Sequence, residues 1–189
     1  MSRYKLIALF GYSGAGKDTL LNYVLEKHPN EFHKIISYTT RPMRENEKEG
    51  REYHFISVQE FTDKVLNGSM LEATQWGSDF YGTDISTFDE NKINIGILDE
   101  NGIQCLIDNP DIQVYPIFIT ANGKTRLLRA LNREKNPDCI KICNRFLEDD
   151  KRFNKELDFN FEIYYNYDNR KPFEFIEKIA EMNILTFSI

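Results

Sequence analysis

The chain has 189 residues, of which 41% are hydrophobic and 29% charged; these proportions favour one folded domain, with or without a small insert, and exclude a wholly disordered chain. The formal net charge of −6 excludes a general attraction to nucleic acids or anionic membranes, so any polyanion site is expected to be local. The longest apolar run, Leu6 to Phe10, is too short to cross a bilayer and no signal-peptide core follows the start, which predicts a cytoplasmic protein without a nucleic-acid or membrane partner.

Four apolar runs predict buried strands, with stretches of helical periodicity between them. The predicted strands are Tyr4–Phe10, Ile93–Leu98, Val114–Ile119 and Phe161–Tyr165. The predicted helices of this core are residues 18–29, 100–108, 123–135, 138–156 and 171–182. This alternation favours an α/β fold in which helices flank a parallel sheet.

A region of different character separates the first two core strands. Residues 35–85 carry short alternating runs and one helical stretch near 58–67, which predicts a small mixed β insert. We therefore expect a core formed by residues 1–34 and 86–189, with the insert 35–85 as a second region.

Positive charge is concentrated in one helical segment. Residues 124–155 hold ten Lys or Arg and five Asp or Glu, a local balance of +5, so the remainder of the chain carries −11. This segment is either a solvated basic face or a cover over a concentrated anion such as a triphosphate.

The three cysteines are Cys105, Cys139 and Cys143. They are too few and wrongly spaced for a disulfide framework or a zinc site. We interpret them as reduced residues that pack in the interior.

A glycine-rich loop directly follows the first predicted strand and leads into a predicted helix. Its residues are Gly11, Tyr12, Ser13, Gly14, Ala15, Gly16 and Lys17. In the order strand, loop, helix, glycines let backbone N–H groups converge on phosphate oxygens and the helix N-terminus adds its positive end. Lys17 adds a full charge between the β and γ phosphates, so the loop predicts a nucleoside triphosphate site.

Asp18 follows the lysine at the position where a serine or threonine usually reaches Mg²⁺. A carboxylate there would repel a bare triphosphate but attract a metal, so we predict that Asp18 faces Mg²⁺ or one of its water ligands. Thr19 supplies the nearest hydroxyl. The alternative is a solvent-facing acid that the helix dipole favours.

The next polar segment contains Arg41 and Arg44, three residues apart, with Tyr53 further on. Two guanidinium groups form a fork suited to a dianionic phosphate monoester, and a tyrosine hydroxyl can donate a further bond. Residues 41–54 hold four basic residues and four acids, which argues against a nucleic-acid groove because one sign would then dominate.

These segments together resemble the guanylate kinase family. The motif residues are the glycine loop, then Ser37, Thr39, Thr40, Arg41, Arg44, Glu47, Gly50, Tyr53 and Phe55, then Glu72, Tyr81, Gly82 and Thr83. The resemblance covers roughly residues 4 to 180 and implies a P-loop NTPase core, a nucleoside-monophosphate-binding insert and a helical lid over about residues 123–155. It implies transfer of the γ-phosphoryl group of ATP to GMP, and possibly to dGMP, with Mg²⁺ as cofactor.

The resemblance also implies a role for each matching residue. The residues implied to hold the GMP phosphate are Arg41, Arg44, Tyr53 and Tyr81. The residues implied to hold the guanine base are Ser37, Glu72, Thr83 and Asp99. For Glu72 the chemistry agrees independently, because two carboxylate oxygens match the adjacent N1–H and 2-amino donors of guanine, which adenine lacks.

The lid and the donor side are implied in the same way. Arg133 and Arg145 are implied to swing onto the transferring phosphoryl group, and Asn166 to lie near the adenine of ATP. Lys17, Arg41, Arg133 and Arg145 are thus the residues expected to take part in catalysis.

The sequence departs from the family's D-x-D-x-Q-G pattern at Ile97, which stands where the first acid, near the metal, is expected. We hypothesise that Asp18 partly replaces the missing carboxylate. Asp99 matches the second acid of the pattern.

Two other functions stay open at this point. The first is a kinase like ribose 1,5-bisphosphate phosphokinase, which resembles this chain in the Asp after the loop lysine and in a Thr-Arg-Pro segment; Arg44, Glu72 and the spacing of Glu47 and Tyr53 favour guanylate kinase. The second is a non-catalytic guanylate-kinase-like binding module, but such modules typically lose the loop lysine or the acceptor arginines. We expect a monomer or a homodimer that binds small nucleotides.

Overall fold

The structure is a computed structural model in which residues 3–45, 47–133, 135–167, 174–175 and 178–179 are described. In chain order the elements are β1 (Tyr4–Gly11), α1 (Lys17–Lys27), β2 (Phe32–Lys34), β3 (Tyr38–Thr39), β4 (His54–Phe55), α2 (Val58–Leu66), β5 (Met70–Trp76), β6 (Asp79–Asp84), β7 (Ile93–Ile97), α3 (Glu100–Ile107), β8 (Ile112–Thr120), α4 (Gly123–Leu131), α5 (Cys139–Phe153) and β9 (Glu162–Tyr165). The predicted helix over 171–182 lies largely outside the described residues, of which 174–175 and 178–179 are helical.

One sheet has five strands in the order β2-β7-β1-β8-β9. The pairs β2–β7 and β8–β9 are parallel, as the alternation of strands and helices predicts. The run Leu6 to Phe10 in β1 is at most 2% exposed, because a strand inside a parallel sheet is covered on both faces and needs an apolar residue at every position. The α/β fold with a parallel sheet flanked by helices is confirmed.

The second sheet has four strands in the order β4-β3-β6-β5 and occupies the region where the sequence predicts mixed β structure. Strands β5 and β6 form an antiparallel hairpin in which Glu72 is opposite Thr83. Strand β3 runs antiparallel to β6, with Tyr38 opposite Gly82. This register brings polar residues from three segments to one place.

The chain divides into two compact units. One comprises Met1–Ala8 and Asn30–Tyr115, and the other Leu9–Pro29 and Pro116–Ile189. The first unit contains the four-stranded sheet, and the second contains the glycine loop with helices α1, α4 and α5.

Two sequence-based expectations differ from the structure. Cys105, Cys139 and Cys143 are unpaired, but all three are exposed, so the interpretation of them as interior packing residues is wrong. Helix α4 ends at Leu131, four residues before the predicted end, with Asn132 as its C-cap.

Candidate functional site

The glycine loop turns tightly because its glycines adopt left-handed backbone conformations. Gly11 has φ of 121° and Gly14 has φ of 74°. A Cβ atom at Gly11 would lie 2.3 Å from the carbonyl oxygen of Ile119 in β8, and one at Gly14 would lie 2.4 Å from that of Arg126 in α4. Neighbouring backbone therefore closes against the loop, and no side chain fits at either position.

Lys17 is the first residue of α1, and its side chain folds back along the loop. Its Nζ donates to the carbonyl oxygens of Gly11 at 2.7 Å and Tyr12 at 3.0 Å. Burial lowers the pKa of Lys17 to about 8, because desolvation penalises the charged ammonium. The opposing charge of Asp149 limits this fall in the pKa more than that of Asp18 does, while Arg145 adds to it.

Two side chains hold the opposite side of the loop through one carbonyl oxygen. Asn166, directly after β9, donates from Nδ2 to the Ala15 oxygen at 2.7 Å. Arg129 in α4 donates from Nη1 to the same oxygen at 3.2 Å. Asn166 was predicted near adenine; in the structure its amide packs against the loop, where a Cβ at Gly16 would meet its nitrogen at 2.5 Å.

A carboxylate from α5 meets the loop at Ser13. The Ser13 N–H donates to Oδ2 of Asp149 at 2.6 Å, and Asp149 is only 9% exposed. Sequence reasoning missed both Asp149 and the loop contact of Arg129, because each contact joins residues more than a hundred positions apart in the sequence. The only available signal is that both fall in the charged segment 124–155.

The remaining residues predicted for this side are exposed. Asp18 and Thr19 lie in the first turn of α1, Arg133 lies in the turn after α4, and Arg145 lies on α5. Among the described residues, no cluster of three or more His, Cys, Asp or Glu side chains suited to a metal ion is present.

A second group of polar residues, which we call the carboxylate pocket, comprises Ser37, Glu72, Thr83 and Asp99. The Thr83 hydroxyl donates to Oε1 of Glu72 at 2.7 Å, and it lies 3.1 Å from the Ser37 hydroxyl. Asp99 caps α3 by accepting the Gly102 N–H at 2.7 Å, and α3 packs against β5. The structure thus brings the residues predicted for the guanine base together in one unit.

Burial raises the pKa of Glu72 to about 7, with the nearby charge of Asp99 adding to the rise and the Thr83 hydrogen bond opposing it. The space beside Glu72 depends on Gly102, where a Cβ would lie 3.2 Å from Oε2 of Glu72. The pocket is therefore tight around a carboxylate that is easily protonated near neutral pH.

Three of the four residues predicted for a phosphate, Arg41, Tyr53 and Tyr81, lie together with Glu47 in a group that we call the arginine cluster. Arg41 donates to both oxygens of Glu47 at 2.9 Å, and its guanidinium lies 5.6 Å from the Tyr53 ring centroid. The rings of Tyr53 and Tyr81 are 5.8 Å apart. The hydrogen bond from Arg41 lowers the pKa of Glu47, so the pair is ionic at neutral pH.

Arg44 was predicted beside Arg41, but its side chain is exposed. Its backbone N–H donates to Oε2 of Glu47 at 2.8 Å. Glu47, a motif residue with no predicted role, thus ties the backbone at Arg44 to the side chain of Arg41.

Comparison with known proteins adds to this geometry. The guanylate kinase family model matches residues 3–171. The chain belongs to the guanylate kinase family. A guanylate kinase of Campylobacter jejuni (strain RM1221) is 30% identical over 178 residues, which cover 92% of this chain and 86% of the relative. One of Helicobacter hepaticus is 32% identical over 152 residues, which cover 78% and 76%.

The fold agrees with this guanylate kinase membership. The crystal structure of guanylate kinase from Anaplasma phagocytophilum superposes with a TM-score of 0.64 at 18% identity, covering 96% of this chain and 85% of that one. At that identity the likeness establishes the fold alone, an α/β fold in which helices flank a parallel sheet. In the described part of the chain, every helix is too short or too polar to cross a membrane.

Proposed function

We propose that this member of the guanylate kinase family phosphorylates GMP, with the carboxylate pocket as the base site. The γ-phosphoryl group passes from ATP to an anionic oxygen of the GMP phosphate, which yields ADP and GDP. The observation that carries the proposal is Glu72, a buried carboxylate held through Oε1 by Thr83. Its two oxygens match the paired donors of guanine, and adenine would leave them unsatisfied.

The arginine cluster is proposed to hold the GMP phosphate. Arg41 is fixed by Glu47 through two hydrogen bonds, and a guanidinium has further N–H donors for a phosphate. Tyr53 and Tyr81 lie beside Arg41 and are placed to donate hydroxyl bonds. Arg44, exposed in the free chain, is proposed to fold onto the phosphate when GMP binds.

The glycine loop is proposed to hold ATP. The first amides of α1 have no acceptors within the helix and point to the loop, and Lys17 is a half-buried cation there. Arg133 and Arg145 are exposed and free to approach the transferring group. Asn166 and Arg129 are proposed to fix the shape of the loop rather than to contact the reacting atoms.

The residues fit a magnesium ion bound mainly through nucleotide. The described residues offer no three-carboxylate cluster, and Mg²⁺ in kinases is usually held by one or two carboxylates, water molecules and substrate phosphates. Asp18, exposed beside Lys17, would be the protein's carboxylate there. When bound, the ion would neutralise charge on the triphosphate.

No general base is required, because the attacking phosphate oxygen is already an anion. The protein's work is to align two nucleotides and to supply positive charge. Lys17 and the arginines provide that charge, and exclusion of water protects ATP from hydrolysis.

The test is a coupled assay that offers ATP with GMP, dGMP, AMP, UMP or ribose 1,5-bisphosphate to the wild type and to Glu72→Gln. We expect turnover with GMP and a fall of about hundredfold or more in kcat/KM for GMP in the variant, because its amide replaces one acceptor by a donor. Glu26→Gln, an exposed acid on α1, is the control and should match the wild type.

Other outcomes separate the alternatives. Turnover with ribose 1,5-bisphosphate alone would support the phosphokinase reading. Absence of turnover with every acceptor would support a binding module.

A further inference from the structure

The phosphate-binding loop already holds an anion that belongs to the chain itself. Oδ2 of Asp149 accepts the Ser13 N–H at 2.6 Å, a short charge-assisted hydrogen bond. Asp149 is also among the few charged residues that are buried. A carboxylate resembles part of a phosphate group, since both are anions that present oxygen acceptors to backbone N–H groups.

Aromatic packing keeps α5 at this position. Phe153, four residues after Asp149, packs edge-on against Tyr12, with ring centroids 5.0 Å apart. Arg126 lies 4.0 Å above the same Tyr12 ring. The neighbour of Ser13 is thus clamped between α4 and α5, which holds the Asp149 carboxylate at the loop.

The charge of Asp149 also acts on Lys17, the cation proposed to bind the triphosphate. Burial is the main influence on the pKa of Lys17, and Asp149 is the strongest of the charges that oppose its lowering. One internal acid therefore accepts the Ser13 N–H and also attracts the charge of Lys17.

We propose that Asp149 is an internal competitor of ATP, which occupies the phosphate-binding loop until the triphosphate displaces it. The inference rests on the proposed assignment of this loop to ATP. The apparent affinity for ATP is reduced by the fraction of molecules in which Asp149 is bound to the loop. Displacement breaks the hydrogen bond between Asp149 and Ser13, while the aromatic contacts of Phe153 keep α5 in place.

The competing role for Asp149 is that of a metal ligand, and the two roles predict opposite signs. A ligand helps the metal–nucleotide complex to bind, so its loss weakens binding, and only when Mg²⁺ is present. A competitor hinders binding, so its loss strengthens binding even without metal.

The experiment measures binding of a non-hydrolysable ATP analogue by calorimetry, without GMP, in EDTA and again in Mg²⁺. The proteins are the wild type, Asp149→Ala, Asp149→Asn and the control Glu148→Gln, an exposed acid next to Asp149 on α5. We expect Asp149→Ala to bind about tenfold tighter than the wild type in both buffers, the effect of one charged hydrogen bond. Asp149→Asn should fall between them, because its amide oxygen still accepts from Ser13 but carries no charge.

Equal or weaker binding by Asp149→Ala, with normal wild-type binding, would overturn this inference alone. Failure of the wild type to bind the analogue would overturn the proposed ATP site and this inference with it.

Discussion

Glu72 is a buried acid whose proposed ligand, guanine, requires it to be charged. Its folded-state pKa of about 7 is above its ordinary value of 4.5 because burial disfavours the carboxylate. The protein without guanine therefore favours the protonated carboxyl, and the contribution of this proton to the free energy of unfolding is lost as the pH rises through about 7. Guanine presents two hydrogen-bond donors and so favours the ionised carboxylate.

The first prediction concerns pH and GMP. The KM for GMP should rise about tenfold between about pH 8 and pH 6, because with a pKa near 7 only about a tenth of Glu72 is ionised at the lower pH. Initial rates at saturating ATP measure this. The GMP phosphate itself titrates near pH 6, so Glu72→Gln, which keeps that phosphate effect but lacks the carboxylate, is the control. A wild-type profile parallel to that of the variant would contradict the role of Glu72.

The second prediction concerns Asp18 and Mg²⁺. Asp18→Ser should raise the Mg²⁺ concentration for half-maximal turnover by about threefold to tenfold, because the variant loses the protein's only proposed carboxylate for the ion. Titration of Mg²⁺ at fixed ATP and GMP measures it, with Glu26→Gln on the same helix as control. An unchanged Mg²⁺ dependence would contradict the hypothesis that Asp18 replaces the carboxylate that is missing at Ile97.

Residues in short motifs were predictable because their partners are close in sequence. The strand, glycine loop and Lys17 form one continuous segment, and backbone geometry alone fixes what the loop binds. The bond between Ser13 and Asp149 joins residues 136 apart, and no local pattern indicates which of several acids on α5 faces inward. The pairing of Arg41 with Glu47 was within reach of sequence reasoning, since both are motif residues, but its geometry was not.

At the scale of elements, the phosphate-binding loop is shaped by α4 and β9. Arg129 and Asn166 reach the Ala15 carbonyl from the two elements, and β8 supplies the Ile119 carbonyl that excludes a side chain at Gly11. The loop keeps its shape because strands and a helix that follow it in sequence by more than a hundred residues close around it.

The third prediction tests this support. Asn166→Ala should raise the KM for ATP by about fivefold to tenfold, the effect of about one lost hydrogen bond on the loop, and leave the KM for GMP unchanged. Kinetics with each nucleotide varied in turn measure the split. Asn160→Ala, an exposed residue before β9, is the matched control. Equal changes in both KM values would point to general damage to the fold instead.

The core strands were predictable to within about two residues because continuous apolar runs favour buried parallel strands. Strand β2, Phe32–Lys34, was not predicted, since three residues hold too little pattern, and its place beside β7 depends on tertiary pairing. Helix α4 ends at Leu131, earlier than predicted. The polar residues 132–135 that come next fit the exposed face of a helix as well as a solvated turn, so periodicity could not locate the end.

At the scale of the molecule, charge is distributed unevenly along an acidic chain. Residues 124–155 carry +5 and the rest carry −11. This basic segment contains most of α4 and all of α5, and both helices contact the phosphate-binding loop. A positive segment on an otherwise acidic protein can attract a small polyanion such as a triphosphate, while the net negative charge disfavours binding of nucleic acids and anionic membranes.

The fourth prediction follows from this distribution. The kcat/KM for ATP should fall about threefold or more as ionic strength rises from about 0.05 M to about 0.3 M, because salt screens the approach of a highly charged nucleotide. Steady-state kinetics in KCl measure it, and the thermal unfolding midpoint over the same range is the control. A kcat/KM that is constant with salt would show that the basic segment is only a solvated face.

The contacts of the two proposed nucleotide sites fall in separate stretches of the chain. Every contact described for the phosphate-binding loop lies in residues 9–29 and 116–167, and every contact of the carboxylate pocket and arginine cluster lies in 30–115. A mutant library designed to change the preference for the acceptor purine can therefore be confined to residues 30–115, which leaves the residues proposed to bind ATP unchanged. The same partition means that each half can be optimised in its own selection before the two sets of substitutions are combined.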